Sequence, residues 1–231
     1  QRGQTLAHFL GFFERNFFAR TGYLLVDSNY TAEAGFVPRP GFQSFFPAFG
    51  FTFYPENSAI NNWSVGIEAD HTFSLDFQET DRDVAVYATA NFQDQAFLNA
   101  VVWNNYTHLF EDFDPTNLYE PVTQPLPGQR GYTYSGARLR FTSSTTYNFQ
   151  GSADLTAGQF FNGNFIRLEG NLSYRLQPVG TVALSYSYNR IRLPEPYASA
   201  DFWILGPRAE LSFSRSLFVS AFLQWQNQAQ Y

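Results

Sequence analysis

Residues 62–78 alternate without a break between two chemistries. Odd positions carry Trp63, Val65, Ile67, Ala69, His71, Phe73, Leu75 and Phe77, and even positions carry Ser64, Gly66, Glu68, Asp70, Thr72, Ser74, Asp76 and Gln78. Successive side chains of a β-strand point to opposite faces, so this stretch reads as one strand with an apolar face and a polar, partly charged one. Strands of soluble sheets usually end after about five or six residues, and this alternation runs about three times as long. From Trp63 to Phe73, at about 3.3 Å per residue and a tilt near 40°, the chain climbs roughly 25 Å, the height of the apolar band of an outer-membrane barrel.

Composition supports that reading. The chain is 19% aromatic and 15% charged, against about a quarter charged residues in an ordinary soluble domain. Its mean hydropathy is nevertheless negative, at −0.28. A barrel strand gives apolar side chains to lipid and polar ones to the lumen, which keeps the average low. No run of 18 apolar residues exists that could cross a membrane as a helix. The absence of cysteine excludes disulfides, thiolate catalysis and Cys-based metal sites. Lysine is absent too, so every basic residue is arginine. A net charge of −6 and a pI near 5.0 argue against nucleic acid as a partner, because phosphate binding calls for a basic patch.

The same alternation recurs along the chain. Residues 164–177 set Ile166, Leu168, Leu172, Tyr174 and Leu176 against Arg167, Glu169, Asn171, Ser173, Arg175 and Gln177. Residues 202–214 and 216–231 repeat the pattern, the latter with Leu217, Val219, Ala221, Leu223 and Trp225 on one side. Further strands are expected at 4–13, 17–27, 42–54, 83–93, 96–110, 132–143, 147–160 and 180–193, for about twelve in total. Turn chemistry marks the connectors Pro55-Glu56-Asn57, Thr80-Asp81-Arg82-Asp83, Asn162-Gly163-Asn164 and Pro178-Val179-Gly180. Residues 28–41 and 111–131 are too proline-rich for central strands and too aromatic for simple linkers, and are expected to be long ordered loops. The expected architecture is all-β: a single domain over residues 1–231 forming a transmembrane antiparallel up-and-down β-barrel of the outer-membrane type.

The run Tyr30-Thr31-Ala32-Glu33-Ala34-Gly35-Phe36-Val37-Pro38-Arg39 resembles the glycine-phenylalanine-valine-proline-arginine signature of a group of Gram-negative outer-membrane barrels with no assigned activity. Further similar stretches are Phe53-Tyr54-Pro55-Glu56-Asn57 with Trp63 after it, Gly158-Gln159-Phe160-Phe161-Asn162-Gly163, Leu193-Pro194, and the closing run Leu217 to Gln226. In that group the barrel follows a periplasmic domain resembling a family-9 carbohydrate-binding module. The resemblance implies outer-membrane localisation and a barrel that extends beyond both ends of this sequence. Residues 4–13 and 216–231 are accordingly expected not to pair directly, with further strands between them.

Catalysis finds little support in the residues. Hydrolases of this compartment need His beside Ser or paired carboxylates, and the chain offers only His8, His71 and His108. Ser74 lies opposite His71 in parity, so the two form no dyad within their strand. The acidic groups Glu79, Asp81, Asp83 and Glu111, Asp112, Asp114, Asn117 lack the spacing of a calcium loop and read as solvated turns. No catalytic residue, metal site or cofactor is expected. The charges at polar parity are Glu68, Asp70, Asp76, Arg138, Arg140, Asp154, Arg167, Glu169, Arg175, Arg208 and Glu210, and all are expected to face the lumen. Both signs on neighbouring strands suggest networks that neutralise one another, or else a selective solute path. The aromatic residues read chiefly as girdle and lipid-facing side chains, with a sugar-stacking platform as a further use.

Two functions follow as expectations. The first is a non-enzymatic scaffold or interaction subunit of an outer-membrane complex, with lipid and other outer-membrane proteins as partners. The second is a passive or gated channel for small solutes, a glycan being one candidate.

Overall fold

A computed structural model of the chain describes residues 3–31, 39–115, 124–197 and 199–227. Ala32–Pro38, the centre of the signature run, and Asn117 of the second acidic group lie outside the described residues, as do parts of both expected loops.

Among the described residues there is no helix, and all strands belong to one antiparallel sheet. It opens with β1 (Thr5–Phe13), β2 (Phe17–Val26), β3 (Phe42–Phe45) and β4 (Ala48–Phe53). The long strands follow: β5 (Ile60–Ser74), β6 (Glu79–Phe92), β7 (Phe97–Leu109) and β8 (Arg130–Thr142). Next come β9 (Phe149–Phe160), β10 (Gly163–Leu176), β11 (Gly180–Arg192) and β12 (Ala200–Ser212), and the sheet ends in β13 (Phe218–Phe222) and β14 (Trp225–Gln226). Spatial order follows chain order, the signature of an up-and-down meander. β1 pairs with β2 and β13 with β12, and no ladder joins β1 to β13.

The expected twelve strands appear as fourteen segments because two of them are interrupted, each next to a proline. Residues 42–54 divide into β3 and β4 at Phe46-Pro47, where Pro47 has no N–H to give the ladder. Phe46 N–H reaches Gly22 O at 3.0 Å, and Pro47 O accepts from Ala69 N–H at 3.0 Å. Register is the same on both sides, with Phe45 opposite His71 and Ala48 opposite Glu68, so no face is exchanged. Residues 216–231 divide into β13 and β14 near Leu223, which donates to Pro207 O at 3.0 Å and receives nothing back from that proline.

The strand that opened the sequence argument ends earlier than its alternation predicts. β5 stops at Ser74, and Leu75–Gln78 form the connector. Phe77 takes a positive φ of 61°, with its N–H on Ser74 O at 3.0 Å. Asp76 therefore sits in a turn and belongs to neither face of the sheet, contrary to its expected lumen position. Thr80-Asp81-Arg82-Asp83, expected as a connector, lies inside β6. The charged run resembles a turn in composition, but Asp81 and Asp83 alternate correctly with Ala85 and Tyr87 and pair opposite Thr72 and Asp70.

Apart from register shifts at the two ends of the β5–β6 ladder, pairing keeps each face together from strand to strand, so the alternation becomes two continuous faces. One row of the apolar face runs Phe49, Ile67, Val86, Val102, Ala137, Ala157, Ile166. The neighbouring rows of the other face run Gly66, Tyr87, Val101, Arg138, Thr156, Arg167 and Ser64, Thr89, Asn99, Arg140, Asp154, Glu169. The buried apolar core is correspondingly small: Val26, Ala48, Leu126, Tyr132, Leu193 and Ala200. Large apolar side chains are exposed across the sheet, from Ile166 at 36% to Phe218 at 75%. The accessible surface is 15491 Å², whereas a compact monomer of this mass presents about 10,600 Å².

The two ends of the sheet differ. At one end the connectors 14–16, 54–59, 93–96, 143–148, 177–179 and 213–217 are all short. At the other end lie the long connectors 27–41 and 110–129 together with the shorter 75–78, 161–162 and 193–199. Their described parts are tied to the rim. Phe113 and Leu126 exchange backbone hydrogen bonds of 3.0 and 2.8 Å, Leu126 is fully buried, and Phe113 and Tyr132 meet Phe161 at 5.5 and 5.4 Å. The Arg39 guanidinium lies over the Phe110 ring and donates to Asp81 at 2.9 Å.

Candidate functional site

The polar face of β5–β12 gathers the chemistry of the chain. Of the residues expected to face the lumen, Glu68, Asp70, Arg138, Arg140, Asp154, Arg167, Glu169, Arg175, Arg208 and Glu210 fall on this one face through the pairing register. Asp76 does not. Because neighbouring strands stand about 4.8 Å apart, charges on adjacent strands are brought within side-chain reach.

Asp154 is the centre of the best-formed network. Its carboxylate accepts from Arg138 Nε at 3.1 Å and from Arg140 Nη2 at 2.6 Å. Arg208 pairs with Glu210 two residues along the same strand. Glu169 accepts a hydrogen bond from Ser187 at 3.4 Å. Arg167 makes no ion pair or hydrogen bond among the described residues, although Glu169 is two positions away on β10.

A second group lies on β2, β5 and β6. Asp70 stands opposite Asp83 and accepts from Ser44 Oγ at 2.6 Å, and Glu68 is 3.9 Å from Arg20. Two adjoining concavities result. The first, of about 360 Å³, is lined by Glu68, Asp70, Asp83 and Arg20 among others. The second, of about 410 Å³, holds Arg138, Arg140, Asp154, Arg167 and Glu169, and shares Asp83 and Ala85 with the first. Carboxylates therefore dominate on β5–β6 and guanidiniums on β8–β10, about 14 Å away at three strand spacings.

Asp83, Arg20, Tyr87 and Trp103 belong to this face although the sequence reading did not place them there. Asp83 was hidden by the supposed turn. Trp103 lies in a stretch, Val101 to Asn105, whose two parities carry similar mixtures of apolar and amide side chains. Its indole packs closely against Gly136: a Cβ there would fall 2.3 Å from Trp103 Cζ2.

The histidines go elsewhere. His71 Nε2 is 2.7 Å from Glu79 Oε1, which also accepts from Arg82 at 3.1 Å. His108 packs against the Phe110 ring with centroids 4.9 Å apart. Among the described residues no serine hydroxyl bonds a histidine ring, and no cluster of His, Asp and Glu has the geometry to hold a metal ion. In the second acidic group Asp112 accepts the Gly128 N–H at 2.8 Å, closing its loop.

No protein-family model matches the sequence, and no curated protein or solved structure matches it at a significant level.

Proposed function

We propose that this chain forms the wall of a β-barrel in the outer membrane of a Gram-negative bacterium and serves there, without bond chemistry, as a scaffold or interaction subunit. The observation that carries the reading is the apolar face. Its rows of exposed Phe, Leu, Ile, Val and Trp suit acyl chains, and exposed apolar surface on that scale is foreign to a soluble monomer. Uniformly short connectors at one end and the two longest at the other suit the periplasmic and extracellular rims of such barrels. In the edge strands β1 and β13, apolar residues occupy both parities, as Phe9, Leu10, Phe12 and Phe13 and as Phe218, Val219 and Phe222. Such strands suit protein contact on the side where the central strands offer water a polar surface.

A second reading, a conduit for small solutes, is favoured by the separation of carboxylates from guanidiniums on the polar face. Opposed charges set up a transverse field that sorts solutes by charge and dipole.

Reconstitution of the purified chain in phospholipid vesicles tests both. Stable insertion with no leakage of entrapped sugars or ions supports the scaffold, and charge-selective leakage altered by Arg138→Ala or Glu169→Ala supports the conduit. Failure to float with the vesicles removes the membrane reading altogether.

A further inference from the structure

We infer that the concavity on β7–β10 is a binding site for a small organic anion that joins an oxyanion to a flat apolar ring. The inference goes beyond the scaffold reading and does not depend on solute passage; it requires only that the polar face meets water.

Three features converge there. The first is a guanidinium without a partner. Arg138, Arg140 and Arg167 line the hollow with Asp83, Asp154 and Glu169, so the charges balance in number but not in pairing. Asp154 is taken up by Arg138 and Arg140, Glu169 by Ser187, and Arg167 by nothing among the described residues. A guanidinium whose five donors are unused is a ready partner for a carboxylate or phosphate.

The second is placement. Arg138, Thr156 and Arg167 stand side by side in one cross-strand row, so the two arginine Cα atoms are about 10 Å apart with a hydroxyl between them. An oxyanion seated over Thr156 is within reach of both guanidiniums, and Thr156 Oγ1 now makes only a long 3.4 Å contact to Asp154.

The third is the ring. Trp103 lines the same hollow, and its indole packs against Gly136, where a Cβ would come within 2.3 to 2.8 Å of three atoms of its benzo ring. A flat aromatic surface beside cations accepts a planar apolar group by stacking, while the guanidiniums hold the anion that the group carries. The volume, about 410 Å³, is that of a small-molecule site.

Calorimetric titration of the folded full chain with benzoate, acetate, benzamide and inorganic phosphate tests the assignment. Benzoate carries both features, acetate and phosphate the anion alone, and benzamide the ring alone. Benzoate is expected to bind about tenfold more tightly than either acetate or benzamide, and to weaken as salt is added. Arg167→Gln should reduce benzoate binding about tenfold and Arg167→Lys by much less. Gly136→Ala, which lifts the indole, and Trp103→Leu should bring benzoate down to the level of acetate. Arg175→Gln, outside the hollow, should change nothing. Phosphate binding as tightly as benzoate would remove the ring from the site. Benzoate affinity unchanged by Arg167→Gln, or absent from the wild-type chain in its folded, heat-modifiable form, would overturn the proposal. A loss of binding that leaves vesicle insertion and leakage as before separates this inference from the reading of the barrel itself.

Discussion

The central strands and the edge strands of this sheet are built on different rules. In most of the central strands one parity is mainly apolar and the other mainly polar, so each presents two unlike faces: Ile67 and Glu68 are adjacent in sequence and lie on opposite faces. In β1 the two parities read Phe9, Gly11, Phe13 and Leu10, Phe12, and neither is polar. β13 is similar, with Phe218 and Phe222 on the side of Arg208 and Glu210. Alternation is thus a report on surroundings and not only on conformation. A strand with water on one side alternates, and a strand with apolar neighbours on both sides does not.

The largest expected effect comes from violating the rule in the centre. Ile67→Arg should cost about 2 to 4 kcal/mol of folding stability in lipid, measured by denaturant unfolding from vesicles. Glu68→Gln, one residue away, should cost far less, and equal losses at the two positions would erase the distinction between the faces.

Next is the network that central strands build on their polar side. Asp154→Asn leaves Arg138 and Arg140 facing each other without their shared carboxylate, and should cost about 1 to 2 kcal/mol in the same assay. Double substitution with Arg140→Gln should recover part of that loss. An additive result would mean that the two residues act independently.

Since the chain has no cysteine, single cysteines carrying a polarity-sensitive label can compare the strands directly. Labels at 67 and 68 should report opposite polarity, while labels at 9 and 10, or at 218 and 219, should both report apolar surroundings. A wet signal at position 9 would make β1 an ordinary wall strand and weaken the scaffold reading.

The smallest effect is expected from the histidines. His71→Ala removes a partner of Glu79 at the rim and should cost under about 1 kcal/mol. Combined with His8→Ala and His108→Ala it should leave every non-enzymatic property intact. Lipid or peptide hydrolysis by the wild-type chain that vanishes in the triple variant would reverse the view that no bond chemistry occurs.

The strand positions and their faces were legible in sequence because alternation over 12 or more residues leaves one register. Residues 164–177, for example, were read with the correct parity throughout, and β10 covers Gly163–Leu176. What stayed hidden depended on single partners. Pro207 interrupts a strand that pairs with its own, a fact absent from the sequence of residues 216–231. Leu75–Gln78 turn because Phe77 adopts a left-handed conformation, for which phenylalanine gives no signal. The charges of the polar face could be listed, but not that Asp154 takes two arginines while Arg167 takes none among the described residues, since that depends on which strands become neighbours and in what stagger. The close packing of Trp103 requires a glycine on the next strand and is invisible from β7 alone.

The correspondence of chain order with spatial order also sets a schedule for assembly. Six hairpins, each closed by one of the short connectors, need only local encounters to form. Joining them closes the remaining connectors, and bridging 110–129 costs about 1.4 kcal/mol more chain entropy than bridging 75–78. The union of the β6–β7 hairpin with the β8–β9 hairpin is therefore expected among the late steps. It is also the step that brings Trp103 onto Gly136, so the hollow between them comes into existence only when the two halves of the wall have met.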